Sequence, residues 1–299
     1  MKRYLPLVAL FVVISGVLVA QRNFGGGRSS RNERTAINGI RTARGESESH
    51  STGTPVWTNP LSFEKDTFTF TRIEYSSGYG GGYGGYGYRR RGGGWATDMP
   101  DSDLNLSYRL QQMTSMKVDP DGRIVTIMDP ELANFPFIYI VEPGSLRFSD
   151  EEVVALRKYL LNGGFLMFDD FWGDSAWLNV EQNMKRVFPE RSFSELPLEH
   201  ALYHCVFEIK SKGQVPAINQ GEQSQYDGVT WENHDGDTRT VHHRAIHDDK
   251  GRLMVLATHN TDNGDGWERE GESDYYFHNF SEKIAYPLGI NIIFYVMTH

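Results

Sequence analysis

The sequence predicts an α/β fold with a mostly parallel central sheet, and two patterns carry that prediction. Pro136 to Val141 and Phe165 to Phe168 are apolar at every position, which is typical of strands buried on both faces. Between them, Ser149 to Glu152 begins a helical pattern as a capping box, and Asn162 to Gly164 ends it. A strand, a helix and a second strand in this order form a right-handed βαβ unit with parallel strands.

The remaining elements follow from the same kinds of pattern. Alternating or apolar runs predict further strands at residues 67–75, 123–128, 204–209 and 253–258. Spacings of three and four residues predict further helices at 101–114, 179–188 and 281–297, the last one interrupted at 287–289. Asp101 or Ser102 is the expected cap of the first of these helices.

Residues 1–20 have the layout of a secretory signal peptide. Lys2 and Arg3 precede an uncharged, mostly apolar run, and Ala20 is a small residue at which cleavage can occur. We therefore expect an extracytoplasmic protein, either periplasmic or secreted. Because Leu18 is a mediocre residue at the third position before the cleavage point, an uncleaved N-terminal membrane anchor is the alternative. Membrane contact is expected only through that uncleaved segment.

Two stretches are too rich in glycine and polar residues to form a core. Residues 21–62 are predicted to be a disordered basic linker, followed by a single α/β domain at 63–299. Inside that domain, the Gly/Tyr-rich loop at 78–94 is predicted to be a flexible insertion. The alternative is a mobile lid whose tyrosines stack on a ligand.

The distribution of charge along the chain indicates which classes of binding partner are compatible with it. Residues 1–66 carry a net charge of +4 and the whole chain carries −9, so residues 67–299 carry −13. An acidic domain repels phosphate backbones, which argues against nucleic acid as a partner. An envelope protein or glycan is the partner class that an exported acidic domain would meet.

Four segments together resemble the bacterial domain-of-unknown-function family 4159: Trp95 to Leu106, Pro136 to Ser149, Tyr159 to Gly173 and Tyr286 to Tyr295. The resemblance covers about residues 66–299. It implies membership of the class I glutamine amidotransferase-like superfamily and a flavodoxin-like three-layer sandwich. In true amidotransferases a cysteine nucleophile follows the corresponding strand, where this chain has Asp169 and Asp170. The lone Cys205 is expected to be a packed residue, so amidotransferase activity is not implied.

Polar side chains at the predicted strand ends and helix starts are the best candidates for a site. They are Asp98, Asp103, Asp169, Asp170, Trp172, Asn260 and Asp262, with Asp265 close behind. In an open parallel sheet, ligands bind beyond the carboxyl ends of the strands. Converging carboxylates suit a hard cation, a pair of hydroxyl groups or acid–base chemistry. The alternative is that these side chains only cap helices and turns.

Two functions remain open at this point. The first is a non-catalytic ligand-binding or interaction module of the cell envelope. The second is a carboxylate- or metal-dependent hydrolase of an envelope glycan or another polyhydroxylated substrate, with Asp169 or Asp170 as the catalytic residue. In that case Trp172, Trp177 and Trp267 would stack on sugars. No cofactor is predicted and no metal site is assigned, although the carboxylates would accept a divalent cation.

Overall fold

A computed structural model describes residues 40–60, 66–77 and 94–299. The predicted signal peptide, linker residues 21–39 and loop residues 78–93 lie outside the described residues. The strands are β1 (Thr67–Phe68), β2 (Thr71–Ile73), β3 (Lys117–Val118), β4 (Arg123–Val125), β5 (Phe137–Val141), β6 (Phe165–Asp169), β7 (Ser194–Glu195), β8 (His242–His247) and β9 (Leu253–His259).

Seven of these strands form one sheet, in the order β4-β2-β5-β6-β9-β8-β7. The five strands from β4 to β9 are parallel, whereas β8 and β7 run antiparallel at one side. Strands β5 and β6 pair from Phe137 opposite Phe165 to Val141 opposite Asp169, which confirms the predicted βαβ unit. The structure therefore confirms an α/β fold with a mostly parallel central sheet.

One helix precedes the described strands, four lie between them along the chain and three follow the last strand. The helices are α1 (Ala43–Glu46), α2 (Asp101–Met113), α3 (Asp150–Leu161), α4 (Gly173–Val187), α5 (Ile218–Asp227), α6 (Asn263–Glu268), α7 (Asp274–Tyr276) and α8 (Tyr286–Thr298), with a π-helical segment at Phe277–Ala285. Short 3₁₀ turns occur at Gly94–Ala96, Leu132–Asn134, Pro143–Ser145 and Ala201–His204. The predicted capping box is confirmed, because the Ser149 hydroxyl accepts from the Glu152 amide and the Glu152 carboxylate accepts from the Ser149 amide.

The two faces of the sheet contribute to two apolar clusters. Ile138 and Ile140 of β5 belong to one cluster together with residues of α3 and α4. Phe137 and Tyr139, which point the other way, belong to a second cluster together with residues of α2 and α8. Both faces of the parallel strands are thereby covered, as buried parallel strands require.

The predicted strand at 67–75 is divided between two sheets. Phe68 lies in β1, which pairs with β3, and Arg72 lies in β2, which pairs with β4 and β5. The alternating pattern predicted a strand, and all three residues of β2 are buried. Arg72 is buried because it pairs with a carboxylate, a partner that alternation alone does not reveal.

The predicted strand at 204–209 is wrong. A 3₁₀ turn occupies Ala201–His204, and the backbone that follows is bound by the side chain of Asn291 in α8. Its oxygen accepts from the amides of Val206 and Phe207, and its amide group donates to the Phe207 carbonyl. Cys205 is half-buried beside α8 and donates to the Asn291 carbonyl, so its expected packing role is confirmed.

Two predicted helix boundaries are also wrong. Helical structure continues from Asp274 to Thr298 without the break expected at 287–289, since Pro287 falls at the start of α8, where a missing amide costs little. At Gly289 an added Cβ would lie 2.9 Å from the Trp267 ring, so this glycine permits close packing. Helix α4 begins at Gly173 rather than at 179.

Residues 40–60 correct the predicted linker, which was expected to be disordered through residue 62. Ala43 is fully buried, and Arg44 donates to the carboxylate of Asp121 and the carbonyl of Pro120. The Trp57 indole donates to the Val118 carbonyl. This part of the chain therefore packs on the domain, because its few apolar and arginine side chains find partners far along the sequence.

Among the described residues, no helix combines the length and the apolar character that crossing a membrane requires.

Candidate functional site

Four non-glycine residues of the described chain adopt left-handed backbone conformations. They are Asp98 (φ 63°), Glu142 (φ 48°), Asp170 (φ 52°) and Asn260 (φ 62°). Glu142, Asp170 and Asn260 directly follow β5, β6 and β9, and Asp98 lies within the turn that leads into α2. Such conformations cost about 1–3 kcal/mol each and are typical of functional sites. They mark the carboxyl edge of the parallel strands.

Six carboxylates gather at this edge and are called the acidic cluster below. The inner three, Asp98, Asp262 and Asp265, are at most 6% exposed, and one oxygen from each lies within 4.8 Å of the others. The outer three are Glu142, Asp170 and Glu232, which are half-buried. Three carboxylate oxygens as close as those of the inner three could hold a metal ion.

Burial and repulsion between neighbours make four members of the acidic cluster hard to ionise: Asp98, Glu142, Asp170 and Asp262. Burial, followed by repulsion from Asp265, raises the pKa of Asp98 well above its usual value. Burial also raises the pKa of Asp170 and Asp262 strongly, and their acidic neighbours add to the effect. Burial raises the pKa of Glu142 to about 7, with Glu232 contributing and a hydrogen bond from Thr97 opposing the change. These groups hold protons unless a cation replaces them.

One oxygen of the inner three has no hydrogen-bond partner. Asp98 Oδ2 is buried and unpaired, whereas Asp262 Oδ1 accepts from the Asp265 amide and Asp265 Oδ2 accepts from the Ile218 amide. An added Cβ at Gly264 would lie 2.3 Å from Asp98 Oδ2, so the glycine leaves room for this carboxylate. A buried carboxylate oxygen without a donor is costly, and a bound cation would remove that cost.

Asp169, the first of the two predicted catalytic candidates, is fully engaged by hydrogen-bond donors. Its Oδ1 lies 2.5 Å from the Thr258 hydroxyl and 2.7 Å from the Asn263 amide nitrogen. Its Oδ2 accepts from the Tyr139 hydroxyl at 3.0 Å and the Gly264 amide at 3.0 Å. With four donors in place, Asp169 ties β6 to α6, whereas Asp170 belongs to the acidic cluster.

The structure does not bring Asp103 or Asn260 into the acidic cluster. Asp103 pairs with the fully buried Arg72, whose guanidinium also donates to the Trp95 and Thr97 carbonyls. Asn260 accepts from the Gly173 amide and donates to the carbonyls of residues 237 and 240. Both side chains therefore position neighbouring backbone.

The tryptophans expected to stack on sugars are occupied within the fold. The Trp172 indole donates to Asp170 Oδ1 at 3.2 Å, and its ring stacks on His234. Trp267 is fully buried and donates to the Ala285 carbonyl. Trp177 packs against Phe193 at the rim of the apolar core.

A loop at residues 228–241 lies against this edge. The Asp235 carbonyl accepts from the Asp174 amide, and an added Cβ at Gly236 would lie 2.2 Å from the Asp174 side chain. The loop forms a cleft of about 450 Å³, lined by Trp231, Asn233, His234, Gly236, Asp237, Thr238 and Arg239. Since Glu232 of the same loop belongs to the acidic cluster, the cleft and the cluster share one segment of chain.

The candidate list from the sequence missed Glu142, Glu232 and Glu268. Glu142 directly follows β5, so the rule that selected Asp169 after β6 would also have found it. No sequence pattern points to Glu232 or Glu268, because one lies in a loop and the other at the end of the six-residue helix α6.

The acidic cluster predicts an unusual dependence of stability on pH. In the folded state, burial keeps protons on Asp98, Glu142, Asp170 and Asp262, whereas the unfolded chain, with pKa values of about 4, releases them. The free energy of unfolding in EDTA should therefore be highest at the acid end and fall as the pH rises from 5 to 8. Glu142 should supply about 2–3 kcal/mol of that fall.

Urea unfolding at several pH values in EDTA measures this slope. The Glu142→Gln variant should show a shallower fall than the wild-type protein, because its amide does not titrate. A wild-type protein that gains stability steadily from pH 5 to 8 would contradict the pKa assignment.

A comparison with known proteins adds one match. The family described as Domain of unknown function (DUF4159) matches residues 69–297, which is more than half of the chain. No curated protein matches.

Proposed function

We propose that this chain, which belongs to the DUF4159 family, is a cation-dependent ligand-binding domain of the cell envelope. The observation that carries the proposal is the inner triad, Asp98, Asp262 and Asp265, whose oxygens converge within 4.8 Å. The unpaired Asp98 Oδ2 points to a bound ion rather than to a purely structural network. The apolar run and charged start of residues 1–20 support a location outside the cytoplasm.

The charge balance around the acidic cluster supports a cation. Six carboxylates face two guanidinium groups, and Arg72 is already engaged by Asp103. Arg269 Nε lies 3.3 Å from Asp265 Oδ1 and 2.6 Å from Glu268 Oε2, so its charge is also shared. Carboxylate oxygens suit Ca²⁺, Mg²⁺ or Mn²⁺.

The proposed ligand is a polyhydroxylated molecule of the envelope, such as a glycan. A cation held by the inner triad would keep coordination positions for hydroxyl or carboxylate oxygens of a ligand. The neighbouring cleft is lined mainly by polar side chains, whose hydrogen-bonding groups suit the hydroxyl groups of a sugar. The Arg239 guanidinium lies 4.7 Å from the centroid of the Trp231 ring, so one face of that ring is already occupied.

The strand order supports the finer part of the fold proposal. Counted along the chain, the parallel strands β2, β4, β5, β6 and β9 lie in the order 2-1-3-4-5. This is the order of flavodoxin-like folds, whose ligands bind at the switch between the first and third strands. Here that switch lies between β2 and β5, and Glu142 follows β5. We therefore propose a flavodoxin-like three-layer sandwich, related to the amidotransferase-like superfamily but without its cysteine nucleophile.

Thermal melting and calorimetry test the cation site. After EDTA treatment, Ca²⁺, Mg²⁺ or Mn²⁺ at a hundred times its Kd should stabilise the fold by about 2.7 kcal/mol. For a domain of this size the melting temperature should rise by roughly 5–10 °C. Binding should release protons, which appears as a dependence of the binding enthalpy on the ionisation enthalpy of the buffer.

Asp98→Asn and Asp262→Asn should abolish the shift, whereas Asp249→Asn, at an exposed carboxylate, should keep it. The proposal fails if none of the three ions shifts the melting temperature. It also fails if the two cluster variants respond like the wild-type protein.

A second function, acid–base hydrolysis, is favoured by one observation. The pKa of Glu142, raised to about 7 by burial, is suited to proton transfer at neutral pH. In a hydrolase acting on a polyhydroxylated substrate, Glu142→Gln would abolish turnover of an oligosaccharide while cation binding by the inner triad persists. If the wild-type protein with the cation bound turns over no oligosaccharide, hydrolysis is excluded and ligand binding is the remaining function.

A further inference from the structure

The segment at residues 40–60 brings a histidine to two carboxylates of the domain. The Ser49 hydroxyl donates to Asp101 Oδ1 at 2.5 Å, and the His50 amide donates to Asp101 Oδ2 at 3.1 Å. These two bonds fix the backbone beside α2 and direct the His50 ring toward Glu268, the last residue of α6. His50 Nδ1 lies 2.8 Å from Glu268 Oε1.

The three side chains form a compact set of potential metal ligands. One imidazole nitrogen of His50 and one oxygen from each of Asp101 and Glu268 lie within 4.8 Å of one another. Ligand atoms bound to one ion at about 2.0–2.1 Å lie roughly 3 Å apart, so metal binding would draw these three atoms closer together. His50 is partly exposed, which leaves a route from solvent, whereas both carboxylates are fully buried.

Glu268 supplies the independent observation that points to a ligand. Its side chain is fully buried, and neither carboxylate oxygen accepts a well-aligned hydrogen bond. Within the described part of the chain, the only basic groups beside it are His50 Nδ1, 2.8 Å from Oε1, and Arg269 Nε, 2.6 Å from Oε2. A carboxylate held this deeply without an aligned donor is costly, and a bound cation would remove that cost.

We propose that His50, Asp101 and Glu268 form a second metal site that fastens the 40–60 segment to the domain. Its imidazole ligand distinguishes it from the all-carboxylate inner triad. Mixed nitrogen and oxygen ligands favour Zn²⁺ and Co²⁺ over Ca²⁺ and Mg²⁺. The proposal does not depend on the cation at the inner triad, although Asp265 and Glu268 share helix α6.

Titration with Co²⁺ tests the site directly, since its visible absorption reports nitrogen and oxygen ligands, and Zn²⁺ should displace it. His50→Ala should abolish the Co²⁺ spectrum, and Glu268→Gln should weaken binding at least tenfold. His278→Ala, at an exposed histidine outside the set, should bind like the wild-type protein. The fold of each variant is checked by the shift of its melting temperature with Ca²⁺, Mg²⁺ or Mn²⁺. If the inner triad binds none of these ions, circular dichroism provides the check.

Limited proteolysis provides the second readout. Zn²⁺ should slow tryptic cleavage after Arg41 and Arg44 at least tenfold in the wild-type protein, and not in His50→Ala. Co²⁺ binding that persists in His50→Ala, or cleavage that Zn²⁺ leaves unchanged, overturns the proposal. Because Asp98→Asn removes only the inner triad, loss of one site can be distinguished from loss of the other.

Discussion

Replacing Arg72 by methionine is expected to lower the free energy of unfolding by about 3–5 kcal/mol. Arg72 is fully buried in β2, and its Nε lies 3.0 Å from Asp103 Oδ2. The same guanidinium donates to the Trp95 and Thr97 carbonyls, so it joins the sheet to the turn before α2. Methionine fills similar space, but it leaves the Asp103 carboxylate buried without its counter-charge.

Urea unfolding measures the loss, with Arg157→Met as the matched control. Arg157 pairs with Glu190 on the surface, where solvent screens the ion pair, so the control should lose far less stability. A double variant, Arg72→Met with Asp103→Leu, should recover much of the stability because no uncompensated charge remains. A loss below 1 kcal/mol for Arg72→Met alone would show that the pair does not hold the turn.

The neighbouring residues Asp169 and Asp170 should respond in opposite ways to the same change. Asp169→Asn should cost about 2–4 kcal/mol, because the new amide group faces donors that now bind a carboxylate. Asp170→Asn should leave stability unchanged or raise it at pH 8 in EDTA, since asparagine is neutral without taking up the proton that burial forces on Asp170 in the folded state. Asparagine also tolerates the left-handed conformation at this position.

The two variants control for each other, because they make an identical substitution one residue apart. Urea unfolding at pH 8 measures the free energy of unfolding of both variants. Repeating the measurement with the cation tests whether Asp170, one of the outer three carboxylates, contributes to cation binding. Equal losses in the two variants would mean that the four donors to Asp169 do not distinguish it from its neighbour.

The sequence predicted the central sheet well where the signals were local. The capping box at Ser149 and the apolar runs before and after α3 identified the βαβ unit, and the rule for parallel sheets identified the edge that holds Asp98, Asp170 and Asp262. Each of these inferences depends on residues close together in the chain. The sequence was least informative where the partner is distant.

Asp101 and Asp103 illustrate that limit. Both were candidates for capping or binding at the start of α2, and neither caps the helix. Asp101 accepts from Ser49 and His50, and Asp103 pairs with Arg72, so the roles are set by partners about 30 to 50 residues away. Composition suggested disorder for the segment that contains Ser49 and His50, because few apolar residues can form a core alone.

The two edge strands, which form the margins of the seven-stranded sheet, determine whether another polypeptide chain can add a strand to it. At β4, the amide of Ile124 donates to the carbonyl of Arg41, so the 40–60 segment already occupies that margin. At the other margin, β7 has only two residues, and its Glu195 contacts His242 and Lys212. A passing unfolded chain that could add a strand therefore finds one margin taken and the other short and charged. Resistance to intermolecular strand pairing is thus built partly by a segment that precedes the matched family region.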